Sequence, residues 1–425
     1  MFARKNSIRK CIMIIKIIIN KPFRGIIDGW STRYIGLIKI LEKENALFIF
    51  APGNTDLLRI QFPESYVCDS TSEHYIKYKC NFLKYIYSIV IKPGKRIFLP
   101  GFEYYPEFDI LLSDFDNDQY DTGICFGLDG YIHYGKHFGN NPVLCDFCDS
   151  IIRHITSYRH ETRNLRKKLI HTLDIIHISR IKKMFIPQSL LISAITDKDA
   201  QYLKKALVKN NVIILNNGTD IIDNESFTEQ YIYNKWKSNI IIFCGSLNYK
   251  PNIQSLQYIF RKIWPTVKKE TDLVFYIVGR NPENYLCNIP ELDNRVKVIA
   301  NVRNVLPYYK LSKFLLAPIF TGGGMKNKVL EAFGSATPVI TNKEGIIGIN
   351  PGSKNFGCIV DNTSDIINAV IKLHAADYAI YRELCNNSYW LGKKYCWENA
   401  GKKLQTVLNI LSFHNNSMSL LPAQK

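Results

Sequence analysis

The chain has 425 residues, 46% of them hydrophobic, and carries 55 lysines and arginines against 37 aspartates and glutamates, a formal charge of +18. That length is long for one core and suits two domains of roughly 200 residues each. The charge implies attraction to polyanions such as phosphorylated ligands, anionic membrane faces or nucleic acid. No RNA-binding aromatic pattern, zinc spacing or recognition-helix arrangement accompanies it, which sets nucleic acid aside. Eleven scattered cysteines argue for reduced thiols in a cytoplasmic protein rather than a disulfide framework. Cys145 and Cys148 form a lone C-x-x-C with no second pair, so they read as buried thiols and no metal is expected.

In chain order, Arg4, Lys5, Arg9 and Lys10 precede the apolar run from Cys11, which Lys16 interrupts and Lys21 closes. The run is too short to span a bilayer and reads as a first buried parallel strand; no transmembrane helix is expected elsewhere. A helix over 32–43 follows, then strands at Ala46–Phe50, Asp121–Phe126 and Pro142–Asp146. From Ile151 a long helix is expected, with Ile155, Tyr158, Leu165, Leu169, Leu173 and Ile176 on one side and Arg159, Arg163, Arg166, Lys167 and Lys168 crowding the other. The basic side is either a solvated face or a surface for anionic head groups. Strands at Leu191–Ile195 and Val212–Leu215, with a helix over 197–208 between them, close the first half, and 221–239 reads as a polar linker.

The second half alternates strands at 240–243, 273–278, 296–299, 314–317, 338–341 and 358–360 with helices over 251–269, 305–312 and 326–334. Residues 375–411 are helical in pattern, and 413–425 read as a frayed tail. Strand and helix alternating through both halves argue for two α/β domains with parallel sheets.

Residues 318–345 concentrate the chemistry. Gly322, Gly323 and Gly324 allow close backbone approach to an anion, and the helix they open turns its positive dipole end toward the same spot. Lys326 and Lys328 add charge, and Lys328 shares a helix face with Glu331, three residues on. A cation for phosphate and a carboxylate for a ribose diol suit a nucleotide diphosphate-sugar. Taken alone, Glu331 also fits a surface partner of Asn327 and the nearby lysines.

This stretch, with its Gly-x-Gly-x-Lys-Asn-Lys-x-Leu-Glu-Ala run, resembles the donor site of retaining GT-B glycosyltransferases of family four, the bacterial glycosyl transferases group 1 branch. The likeness extends to Phe243-Cys244-Gly245-Ser246-Leu247-Asn248-Tyr249-Lys250-Pro251-Asn252, Trp264-Pro265, Leu273 to Arg280, Val296-Lys297-Val298 and Leu306-Pro307-Tyr308-Tyr309. More weakly, Asp28 to Arg33 resembles the family's first glycine loop, Asn217-Gly218-Thr219-Asp220 its interdomain Asn-Gly-x-Asp, and Trp397-Glu398 its closing helix. Nothing between 45 and 135 is matched, and acceptor specificity is expected there.

The resemblance implies two Rossmann-like domains with parallel sheets facing a central cleft: 1–225 on the acceptor side, 226–390 for the nucleotide-sugar, a helix over 391–412 crossing back, and a tail over 413–425. It implies a metal-free, cofactor-free transferase acting on a polysaccharide or lipid-linked acceptor, cytoplasmic or peripheral at the inner membrane face. Lys326, Lys328 and Glu331 are its expected catalytic residues, and Gly245, Ser246, Lys250, Arg280, Gly322, Gly323, Gly324, Met325 and Asn327 its donor contacts. Gly29 is expected against phosphate from the other domain. Asp146, Asp149 and Glu161 fit either acceptor contacts or caps and surface charges, Asp149 being well placed as an N-cap. His133, His137 and His160 show no metal spacing. Many relatives carry a glutamate where this chain has Gly323, which leaves the sugar-facing half of the site open and keeps a second reading alive, a GT-B scaffold that binds nucleotide-sugar or a partner enzyme without turnover.

Overall fold

The computed structural model describes residues 13–23, 29–53, 56–70, 76–77, 103–116, 118–147, 155–156, 159–160, 162–185, 190–206, 212–280 and 294–419. The chain divides into two compact units, Met1–Leu215 together with Gly401–Lys425, and Asn216–Ala400.

The first unit is built on strands β1 (Ile14–Ile19), β2 (Ala46–Pro52) and β3 (Tyr66–Ser70), a short antiparallel pair β4 (Ile76–Lys77) and β5 (Glu103–Tyr104), then β6 (Thr122–Phe126), β7 (Val143–Asp146), β8 (Leu191–Ala194) and β9 (Val212–Ile214). Seven of them form one parallel sheet in the order β3-β2-β1-β6-β7-β8-β9. Five isoleucines and Lys16 make up β1, a composition that only a strand covered on both faces can bury. Lys16 is tolerated because its ammonium donates to the carbonyls of Phe115 at 3.1 Å and His137 at 2.8 Å, and it lies over the Phe50 and Tyr120 rings. Burial lowers its pKa nonetheless.

Next to it, His137 is wedged between Asp109 Oδ1 at 2.7 Å and Asp116 Oδ1 at 2.8 Å, a structural role and not a metal ligand's. Burial alone would raise the Asp109 pKa, but hydrogen bonds from His137, Lys136 and Tyr104 hold it well below the carboxylate range. The cluster ties the Pro106–Ser113 helix to the turn at Gly135–Phe138.

The long helix runs Leu165–Phe185. Here the sequence expectation fails in part: the helix expected from Ile151 is not continuous, since 162–164 are not helical, and its apolar side is not taken into a core, Leu165 being 80% exposed, Leu169 54% and Ile176 42%.

The second unit begins with β10 (Ile240–Cys244) and continues through β11 (Val274–Gly279), β12 (Val296–Ala300), β13 (Phe314–Ala317), β14 (Val339–Thr341) and β15 (Gly357–Ile359). All pair in parallel in the order β12-β11-β10-β13-β14-β15. Ile241, Phe243, Phe275, Ile277, Phe314 and Leu316 pack against Phe260, Ile263, Trp264 and Val267 on one side of the sheet's helical cover.

Three expected elements take a different form. Residues 221–239 are not a bare linker, because Thr228 caps a helix at Glu229–Lys237 whose Ile232 and Lys235 are buried. The helix expected over 251–269 is split into Lys250–Tyr258, a π-helical turn at Ile259–Ile263 and Trp264–Glu270. Pro265 has no N–H and its ring crowds the preceding turn, which a widened turn relieves. The helical tail is two helices, Tyr378–Lys394 and Trp397–Ser419, because Cys396 leaves the helical path to bridge Thr219.

Candidate functional site

In the second sheet, β10 has β11 on one side and β13 on the other, so the chain reverses its winding direction there and the loops leaving β10 and β13 part company. Ligands of open α/β sheets sit at such a switch point, beyond the carboxyl ends of the strands. The two loops in question are Gly245–Tyr249 and Pro318–Lys326.

Gly245 adopts φ 152°, and a side chain on Gly279 would place its Cβ 2.1 Å from the Gly245 carbonyl oxygen, so the floor of the site needs glycine at β11's end. Gly322 and Gly324 also take positive φ, 110° and 63°. Lys326 folds its ammonium under this loop and donates to the carbonyls of Gly322 at 3.2 Å, Gly323 at 2.8 Å and Gly324 at 3.1 Å. The helix Asn327–Gly334 starts directly after it.

Lys328 lies on the first turn of that helix. Its ammonium sits 4.0 Å from the centroid of the Phe243 ring and 2.6 Å from Asn252 Oδ1. Asn252 in turn donates from Nδ2 to the Ser246 carbonyl at 2.7 Å, which joins the loop after β10 to the helix after β13. Burial brings the Lys328 pKa down to about 7. One turn further on, Glu331 accepts a hydrogen bond from the Tyr309 hydroxyl at 3.2 Å, and burial raises its pKa while the bond from Tyr309 and the charge of Lys328 pull it back. Cys244, at the end of β10, is buried against the same groups and its thiol is pushed up to about 12, so it is inert as a nucleophile at neutral pH.

Among the remaining expected donor contacts, Ser246 donates to Asn248 Oδ1 at 2.6 Å and the Arg280 carbonyl accepts from the Leu247 amide at 2.8 Å. Met325 is buried with its sulfur 3.6 Å from Asn216 Nδ2, and Asn327 Oδ1 accepts from Asn217 Nδ2 at 3.0 Å. Lys250 is exposed at the start of its helix, beside Pro251. The Asn217-Gly218-Thr219-Asp220 stretch falls in the second unit, where the Trp397 ring covers Gly218 so closely that a Cβ would lie 2.6 Å from it.

In the first unit, Gly29 is the first residue of the helix Gly29–Leu41. Asp146 faces Arg33 rather than solvent: Nε donates to Oδ2 at 2.7 Å, Nη2 to Oδ1 at 2.9 Å, and Ser193 Oγ to Oδ1 at 2.6 Å, with both charged side chains 1% exposed. Neither a cap nor a surface charge, it is half of a buried ion pair. Asp149 and Glu161 lie outside the described residues. Sequence reasoning did not single out Asn252, although it stands in the Lys-Pro-Asn run, nor Tyr309, whose neighbours gave no sign of a polar task. Among the described residues no three His, Cys, Asp or Glu side chains converge as a metal would require, and the seven described cysteines are free thiols.

Two parallel α/β units in one chain, the second with a glycine loop, a lysine and a glutamate at its switch point, give the GT-B fold. Residues 238–376 match the sequence family of glycosyl transferases group 1, so the second unit carries a domain similar to that family's. A comparison with curated protein sequences finds no match. Solved structures with the same fold include WaaG, a glycosyltransferase involved in lipopolysaccharide biosynthesis, at 11% identity and TM-score 0.61, over 93% of this chain and 99% of that one. Sucrose-phosphate synthase from Thermosynechococcus elongatus gives 14% identity and TM-score 0.63, over 94% and 98%. Anabaena HepE in complex with UDP-glucose gives 11% and 0.58, over 93% and 99%.

Proposed function

We propose that the enzyme moves a sugar from a nucleotide-sugar to a polysaccharide or lipid-linked acceptor, with retention of anomeric configuration and without a divalent metal. The observation that carries this reading is Lys328, an ammonium held beside the glycine loop by Asn252 at 2.6 Å, with Glu331 one turn along the same helix. Departure of a nucleoside diphosphate builds negative charge on the β-phosphate, and a fixed cation with a helix start can stabilise it in place of Mg²⁺. Lys328 takes that role, and the backbone of Gly322–Gly324 approaches the phosphates. Glu331 takes the ribose diol. Lys326, with three loop carbonyls around its ammonium, shapes the loop for the phosphates.

Glycans and lipid-linked sugars are the first acceptors to test. Exposed Leu165 and Leu169 among Arg163, Arg166 and Lys167 support contact with an anionic membrane face, where an apolar and basic helix side gains both burial and charge attraction. Among the described residues no helix is long and apolar enough to cross a membrane. HepE has been solved with UDP-glucose, and TarM with UDP, which makes uridine nucleotides the first probes.

The test is hydrolysis and transfer over a panel of nucleotide-sugars, with thermal stabilisation by each as the binding readout. Turnover of one donor that Lys328→Ala abolishes supports the proposal. Binding without turnover, unaffected by Lys328→Ala, supports a scaffold role instead.

A further inference from the structure

We infer that Tyr309 is a positioning residue for Glu331, fixing one carboxylate oxygen so that the other meets the ribose of a nucleoside diphosphate. The inference rests on the ribose role of Glu331 proposed above. Tyr309 is fully buried on the six-residue helix Leu306–Leu311 and is gripped at both ends. At its backbone, the carbonyl accepts from Lys235 Nζ at 2.7 Å and from Thr337 Oγ1 at 3.1 Å. Lys235 itself is buried, lies over the Tyr231 ring and also reaches Thr337 Oγ1 at 2.9 Å, so the helix is pinned from beneath by a side chain that has no route to solvent.

At the other end, the Tyr309 hydroxyl points at the donor helix, 3.1 Å from the Lys328 carbonyl and 3.2 Å from Glu331 Oε2. The hydroxyl also meets the Cys244 thiol, and one proton shared among several partners explains why both distances exceed the usual O–H···O length. Among the described residues no other group hydrogen-bonds the Glu331 side chain, so Oε1 is left for a ligand. The carboxylate must be ionised to accept from a diol, and burial opposes that. A donor fixed on Oε2 favours the ionised form and holds the rotamer at once.

The experiment compares UDP with 2′,3′-dideoxy-UDP by isothermal titration against the wild type, Tyr309→Phe and Glu331→Gln; if the donor panel selects another base, the matching diphosphate pair replaces them. Phenylalanine keeps the buried ring, and melting temperature checks that the variant is folded. The expected result is a roughly tenfold loss of UDP affinity in Tyr309→Phe, the scale of a hydrogen bond to a charged group, and no difference from wild type for the dideoxy probe. The acid-side fall in UDP affinity should also move to higher pH in Tyr309→Phe, since Glu331 loses a bond that keeps it ionised. Equal losses for both probes, or an unmoved acid limb, would overturn the inference. If Glu331→Gln distinguishes the probes and Tyr309→Phe does not, the ribose reading stands and the positioning role alone fails. If Glu331→Gln does not distinguish them, or no nucleoside diphosphate binds, the ribose reading fails and takes this inference with it.

Discussion

Burial brings the Lys328 pKa down to about 7, so its proposed contact with a diphosphate is a proton-linked event. In the proposed role the phosphates bind the charged lysine, so the apparent Kd should grow as about 1 + 10^(pH − 7) until the pH passes the lysine's pKa in the complex. That factor is about 2 at pH 7, about 11 at pH 8 and about 100 at pH 9, a weakening of roughly fiftyfold from pH 7 to pH 9. The sign follows from the depressed value: the lysine's contribution is fully present well below pH 7 and is lost as the pH rises through it. A terminal phosphate titrates near pH 6, so the window above pH 7 isolates the lysine. Isothermal titration of UDP in buffers of different ionisation enthalpy reads both quantities, and uptake of about 0.5 proton at pH 7 and about 0.9 at pH 8 is expected. Lys328→Met should flatten the profile and weaken binding at pH 7 by roughly ten- to a hundredfold, the range of one charged hydrogen bond. A wild-type affinity that stays constant from pH 7 to pH 9, with no proton uptake, would refute the reasoning.

Other perturbations follow from the same contacts. Asn252→Asp places an anion 2.6 Å from the Lys328 ammonium, so the lysine stays charged above pH 7 while phosphate is repelled; UDP should bind more weakly with its pH dependence above 7 removed, which the same titration reads. Arg33→Met strands the buried Asp146 carboxylate and should destabilise the first unit by about 3–5 kcal/mol in urea unfolding, with UDP affinity of the folded protein unchanged. Gly279→Ala forces a Cβ to within 2.1 Å of the Gly245 carbonyl, and should cost about 1–3 kcal/mol of stability and loosen UDP binding together.

The second unit was readable because its strands are short apolar runs bounded by glycines that the geometry requires, as at Gly245, Gly279 and Gly322. The glycine loop and the Lys328–Glu331 spacing were legible for the same reason, since a helix of known start fixes which side chains share a face. What escaped were contacts made across long sequence separations. Tyr309 lies 22 positions before Glu331 and is defined by a hydroxyl direction that no local pattern encodes. Asp146 looked like a strand-end acid because its partner, Arg33, is 113 positions away. The polar composition of 221–239 hid a helix whose anchor, Lys235, is itself polar and is buried by donating to the carbonyls of residues 309 and 310 and to the Thr337 hydroxyl. The exposed Leu165 and Leu169 show the converse, a periodic apolar set that this unit's core does not take up.

The glycine loop and Lys328 are proposed to hold a nucleoside diphosphate without a divalent ion. Titrating UDP, or the diphosphate that the donor panel selects, into the protein at pH 7 with excess EDTA and again with millimolar Mg²⁺ tests it directly. The same affinity in both, lost in Lys328→Met, is predicted. Binding that appears only with Mg²⁺ and is indifferent to Lys328 would contradict it.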